Sequence, residues 1–152
     1  NEWTEMQGIV YGPQLNEASA FSGALQFISH AREQSIPVYI ISHKTRNPYR
    51  GKAYDLHMAA YGWLESKRVI GKKGLCREDI FFEPTLADKI SRIEKCDCTH
   101  FIDDLPELFC DPVFPRATSK VLFDPAKLHC NSVDYSRYES WTQIANKLLL
   151  RT

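Results

Sequence analysis

The sequence predicts an α/β domain, a parallel sheet forming the middle of three layers with helices on both faces. Three observations carry that expectation. Segments with helical spacing and short β-favouring runs alternate along most of the 152 residues, the pattern that builds crossovers between parallel strands. Val38-Tyr-Ile-Ile41 has no polar alternation, as in a strand covered on both faces. The stretch from Thr99 to Leu108 reads as the end of a buried strand that delivers two carboxylates, Asp103 and Asp104, before Pro106 disrupts it. Carboxylates at the carboxyl end of a strand in an open α/β sheet stand where such sheets bind ligands. Two adjacent acids repel each other, so a cation or a strong donor is expected beside them.

The elements follow in order. Trp3, Met6 and Val10 keep helical spacing, which predicts a short helix ending near Gly12. Ser22 is the expected cap of a second helix, with Leu25, Phe27, Ile28 and Ala31 on its buried side, ending near Gln34. Pro37 permits the strand Val38–Ile41, which ends at Ser42-His43-Lys44-Thr45. A loop with Pro48 and Gly51 leads to a helix over Ala53–Lys67, patterned by Leu56, Ala59, Ala60, Trp63 and Leu64. Val69–Arg77 is a connection with Gly71 and Gly74, and Ile80-Phe-Phe82 is a short strand. Thr85-Leu-Ala-Asp88 fits a capping box with Asp in place of Glu or Gln, opening a helix to about Lys95. The strand before the acidic pair comes next. Pro112 and Pro115 then mark a loop, and Lys120-Val-Leu-Phe123 is a further strand closed by Asp124-Pro125. Ser136-Arg-Tyr-Glu139 fits a second capping box and predicts a last helix through Trp141, Ile144, Ala145 and Leu148.

Composition narrows the class of protein. The length suits one domain able to bury a core, and 43% hydrophobic and 25% charged residues are ordinary for a globular chain. With 19 basic and 19 acidic residues the formal net charge is zero, so no global field recruits nucleic acid or an acidic membrane. No apolar run approaches the roughly 18 residues of a membrane span. Asn1–Gln7 has no basic segment followed by an apolar one, so no signal peptide is expected there. The absence of an initiator Met leads to the expectation that the chain begins within a longer one. The five cysteines are odd in number and irregular in spacing, against a secreted disulfide framework. Reduced thiols in a cytoplasmic protein are the main reading. A zinc site at Cys96, Cys98 and His100 is the competing one, although no second pair lies at finger-like spacing.

Three features converge on phosphate chemistry. A strand ends in Ser42, Lys89 stands early in a capped helix, and a later strand ends in Asp103-Asp104. A hydroxyl, an ammonium and a carboxylate-held Mg²⁺ are the groups that bind phosphoryl oxygens and offset their charge. This combination, over about residues 21–124, resembles the haloacid dehalogenase superfamily of aspartyl phosphohydrolases. Val38-Tyr-Ile-Ile-Ser42 is similar to its hydroxyl motif, Lys89 to its upstream lysine and Phe101-Ile-Asp-Asp104 to its acidic strand. Ile41–Arg46 with Tyr54-Asp-Leu-His57, and Thr99–Glu107, are similar to a bacterial subgroup of dehalogenase-like hydrolases.

The resemblance implies a Rossmann-like core over 21–152, with 1–20 a remnant of a cap or N-terminal helical segment. It implies Mg²⁺ held by Asp103 and Asp104, Ser42 on a phosphoryl oxygen, Lys89 neutralising charge, and a small phosphorylated substrate. Lys95 competes with Lys89 for its role. His43, Lys44 and Arg46 are candidate substrate contacts or a solvated basic loop, and Asp55 and His57 either reach the crevice or serve the helix start.

One departure is large. The superfamily's first motif, Asp-x-Asp-x-(Thr or Val), is absent: residues 1–41 hold glutamates but no Asp, and Glu2, Glu5 and Glu17 follow no apolar strand. Covalent transfer needs an aligned carboxylate. The expectation is therefore a sheet without its central first strand, in a fragment that is by itself inactive. The alternative is a non-catalytic binding module on the same fold. Either leaves exposed strand edges that invite homo-oligomers.

Overall fold

A computed structural model describes residues 2–72 and 74–149. The side chains of Trp3 and Glu5 fall outside that description, and with them the role expected of Trp3 in the first helix. The elements in chain order are α1 (Glu2–Val10), α2 (Ala24–Glu33), β1 (Ile40–His43), α3 (Leu56–Ser66), β2 (Ile80–Glu83), α4 (Leu86–Lys95), β3 (His100–Asp103), α5 (Pro106–Cys110), β4 (Ser119–Phe123), β5 (Ser136–Tyr138) and α6 (Trp141–Leu148). Single 3₁₀ turns lie at Leu15–Glu17 and Arg77–Asp79.

Among the described residues the strand pairings are parallel, and the strands form two sheets. β1 pairs with β2, and β3-β4-β5 form the second sheet. Side-chain alternation gives the two sheets common faces. Ile41, Phe81, Phe101 and Leu122 point into one apolar cluster with Ile90 and Ile93 of α4 and Leu108 and Phe109 of α5. On the opposite face Ile102, Val121 and Phe123 meet Phe27 and Ala31 of α2 and Ile144 of α6. Ile40, Ile80 and Phe82 share that face with Leu64 of α3. Ile28 and Val38 pack into both of these clusters, so one helix layer spans the two sheets. The α/β expectation holds, consistent with a Rossmann-like fold; the parallel strands lie in two small sheets, the division that a sheet lacking its central strand would show.

Several boundaries differ from expectation, each for a local reason. β1 begins at Ile40, not Val38, because its partner begins at Ile80, directly after the 3₁₀ turn at Arg77–Asp79. Gly23, not Ser22, precedes α2, with φ of 87°. A Cβ at Gly23 would lie 3.0 Å from that of Trp141, where the α2 start meets α6, so this position needs glycine for both conformation and space. Ser136 opens no helix. Ser136–Tyr138 instead pair with Val121–Phe123, and the helix is capped four residues later, where Ser140 Oγ accepts from Gln143 N at 3.2 Å. Both serines stand three residues before a Glu or Gln, so the pattern was present twice and strand pairing claimed the first. α5 was not expected; Pro106 sits at its first turn, where a missing N–H is harmless.

The expected cap of α4 is present, with Thr85 Oγ1 accepting from Asp88 N at 3.1 Å. The Asp88 carboxylate in turn accepts from the Thr85 hydroxyl at 2.6 Å. Among the described residues no helix is long and apolar enough to cross a membrane.

The carboxyl end of β4 is closed by Asp124, only 3% exposed. Its oxygens accept from Leu128 N at 2.9 Å, His129 N at 3.0 Å and Arg137 Nε at 2.7 Å. Burial alone would raise its pKa; Arg137 and the two amides outweigh that and bring it from 3.8 to about 2. A carboxyl depressed on folding stabilises above its unfolded pKa, and that contribution fades as pH falls from 3.8 toward about 2. The urea midpoint of the wild-type chain is therefore expected to drop through that window. Asp124→Asn should be less stable at neutral pH and show a flatter acid dependence. An unchanged slope in the variant would count against this account.

Candidate functional site

Sequence placed the chemistry at the carboxyl ends of the strands, and chain geometry shows those ends share an edge. α4 starts three residues after β2 and its first turn reaches the end of β3. The ends of β2 and β3, and of β1 parallel to β2, therefore lie together, as in open α/β sheets that bind ligands.

At the centre of this edge Lys89 Nζ meets Asp103 Oδ2 at 2.5 Å. Lys89 is 5% exposed, and the side chains of both partners are almost wholly covered. Helical periodicity explains the burial: Lys89 precedes Ile90 and Ile93 on the packed side of α4, and its ammonium also lies 5.5 Å from the Phe101 ring centroid. Lys95 is exposed in the last turn, so Lys89 is the α4 lysine that reaches the acidic pair. Asp103 Oδ1 accepts from Leu105 N at 3.0 Å, which turns the chain into α5. Asp104 is exposed and makes no side-chain hydrogen bond among the described residues.

Ser42 is half-buried near the end of β1 and its hydroxyl bonds to neither Lys89 nor Asp103. The segment after it is mostly engaged. His43 Nε2 lies 3.1 Å from the Pro84 carbonyl. Lys44 lies 4.7 Å from the Tyr11 ring centroid, and burial lowers its pKa from the ordinary value. Arg46 is exposed, 3.7 Å from Asp55, which caps α3 by accepting from Met58 N at 2.9 Å. His57 Nε2 lies 2.8 Å from the Lys44 carbonyl, its ring against Phe82. Asp55 and His57 thus serve the local fold of this loop. Residues before α2 pack on the same region, with Trp63 Nε1 donating to the Ala18 carbonyl at 2.9 Å.

The donor set suits Mg²⁺ only in part. Mg²⁺ is held by one or two carboxylates with water and phosphate completing an octahedron, and Asp103 and Asp104 supply that number. Both oxygens of Asp103 already accept bonds from the chain, and among the described residues no group of three His, Cys, Asp or Glu surrounds a metal position. The thiols offer no better centre: burial raises Cys98 to about 11 and also raises Cys96, so both are thiols near neutral pH. Asp124 was missed as a buried strand-end acid; Asp124-Pro125 read as a closure, and its ion pair with Arg137 and the bonds it accepts from Leu128 N and His129 N distinguish it.

Compared with protein families, curated proteins and solved structures, the chain matches none.

The buried pair has an energetic signature. Removing one partner leaves an uncompensated charge, so Lys89→Met or Asp103→Leu should each cost about 3–5 kcal/mol, whereas the double variant should recover most of it. Urea unfolding of the three variants checks this. Additive losses in the double variant would refute the coupling.

Proposed function

We propose that this chain is the phosphate- and metal-holding part of a haloacid dehalogenase-like phosphohydrolase that cleaves small phosphomonoesters through an aspartyl-phosphate. The observation that carries the reading is the buried Lys89–Asp103 pair at the strand-end edge that also bears Ser42 and Asp104. Lysine is otherwise an expensive residue to bury, and a binding edge is where a positioned ammonium repays that expense.

In this reading the Ser42 hydroxyl donates to a phosphoryl oxygen and Lys89 offsets the charge shared by nucleophile and phosphoryl group. Asp103 and Asp104 would hold Mg²⁺, which supplies charge neutralisation when bound. His43, Lys44 and Arg46 follow Ser42 directly in the chain as the candidate substrate contacts. The nucleophilic and acid/base aspartates belong to a strand outside residues 1–152, and residues 1–20 to the end of a cap. The separation of the parallel strands into two sheets with common faces supports that placement. The setting is cytoplasmic.

One observation favours a second reading, a non-catalytic binding module. Asp103 is satisfied within the chain, accepting from Lys89 and from Leu105 N.

The coding sequence directly upstream of Asn1 separates the two. An apolar strand ending in Asp-x-Asp-x-Thr is expected, and the extended protein should then hydrolyse an aryl phosphate with Mg²⁺ and lose that activity in Asp103→Asn. A start codon immediately before Asn1 would favour the module. Residues 1–152 alone should show no turnover; Mg²⁺-dependent hydrolysis by this chain, abolished by Asp103→Asn, would overturn the assignment of the nucleophile to another segment.

A further inference from the structure

We propose that a cavity at the amino ends of β4 and β5 binds a free α-amino acid with an apolar side chain. It lies away from the carboxyl-end edge of Ser42, Asp103 and Asp104, so the inference stands or falls separately from phosphate chemistry.

Chain geometry places the cavity. Lys120 is the second residue of β4 and pairs with Phe101 of β3. Asp134 stands two residues before β5, and Cys110 ends α5, which leads back from the carboxyl end of β3. These segments enclose about 410 Å³, within the roughly 300–1,000 Å³ of small-molecule sites. Lys120 shares the face of Leu122, two residues on, and Leu122 packs with α4 and α5. On that face Phe109 and Phe114 stack edge to face at 5.5 Å. With the exposed ring of Pro112 they form the apolar side of the cavity.

The charged side defines the occupant. Lys120 is half-buried; its ammonium donates to the Phe109 carbonyl at 2.5 Å and lies 5.2 Å from the Phe114 ring centroid. Lys89, Arg92 and Arg137 each meet a carboxylate, but Lys120 meets none among the described residues. An ammonium carries three donors, so two remain for a ligand. Arg116 lines the same cavity and is exposed, without an ion pair among the described residues. Two carboxylates complete the lining. Asp111 Oδ1 accepts from Val113 N at 2.9 Å and Asp134 Oδ2 from Ser132 Oγ at 3.3 Å, which leaves the other oxygen of each unbonded among the described residues. Two unpaired cations, two carboxylates with spare oxygens and an aromatic floor fit a ligand with both charges and an apolar body. A simple anion is opposed by the carboxylates, and a simple amine by the cations. An amino acid satisfies all of them: its carboxylate meets Lys120 and Arg116, its ammonium meets Asp111 or Asp134, and its side chain covers Phe114 and Pro112.

Calorimetry on the full chain tests this with L-phenylalanine, with 3-phenylpropionate, which lacks the ammonium, and with 2-phenylethylamine, which lacks the carboxylate. L-Phenylalanine should bind at least about tenfold more tightly than either, the loss expected for one charged hydrogen-bonded contact. Arg116→Gln and Lys120→Met should each weaken L-phenylalanine by a similar factor. Asp111→Asn with Asp134→Asn should bind 3-phenylpropionate as well as L-phenylalanine. Arg116 and Asp134 are exposed, so substituting them opens no core. Cys110, an exposed thiol on the lining, reports the location. Bound L-phenylalanine should slow its alkylation by iodoacetamide, while Cys76, exposed and outside the lining, reacts unchanged. Equal affinity for all three compounds, or variants that bind as the wild type does, would overturn the site. So would equal protection of Cys110 and Cys76, or no binding at about 10 mM ligand, well above a millimolar Kd.

Discussion

The apolar side of α4 is the constraint on which the arrangement depends. Among the described residues β1 and β3 share no ladder, so no strand pairing ties the two sheets together. Ile90 and Ile93, both buried, touch the cluster that contains Ile41 on one side and Phe101 on the other. Hydrophobic burial is non-directional and acts without backbone pairing, which is why a helix can span two sheets whose hydrogen bonds do not meet. Fully burying one such side chain stabilises by roughly 1.5–3 kcal/mol, enough for a few of them to fix the geometry of the strand-end edge.

The same helix delivers the charge. Lys89 is carried inward because it neighbours Ile90 in a packed turn, and Asp103 terminates the strand below it. A second buried pair, Asp124 with Arg137, stands at the end of β4. The two differ in what else they hold. Asp124 uses its remaining capacity on Leu128 and His129 and closes the chain between β4 and β5. Asp103 uses its on Leu105 and leaves Asp104 beside it in solvent. One pair is a structural lock; the other borders an open edge with a carboxylate to spare.

Legibility varied with the range of the interaction responsible. Val38–Ile41, Ile80–Phe82, Phe101–Asp103 and Lys120–Val121–Leu122–Phe123 stood out as β-favouring runs, and the Thr85 cap was visible because its partner Asp88 is three residues away. Ser136 misled because the local pattern suits a helix start while pairing with Val121–Phe123 suits a strand better. The nearness of Lys89 to Asp103 was readable as a preference over Lys95, from position early in the helix. The burial of Asp124 was not, since Arg137 lies 13 residues away and no local signal couples them.

By itself the sequence determined the alternation of helix and strand, the parallel connections and the strand-end positions of Ser42, Asp103 and Asp104. Those depend on spacing within a few residues and on the rule that carboxyl ends of parallel strands share an edge. Only the tertiary structure decided which strands pair within each sheet, that Lys89 is buried against Asp103, and that Asp124 meets Arg137. These follow from which elements lie side by side, and hydrogen-bond pairing and desolvation between distant segments set that choice.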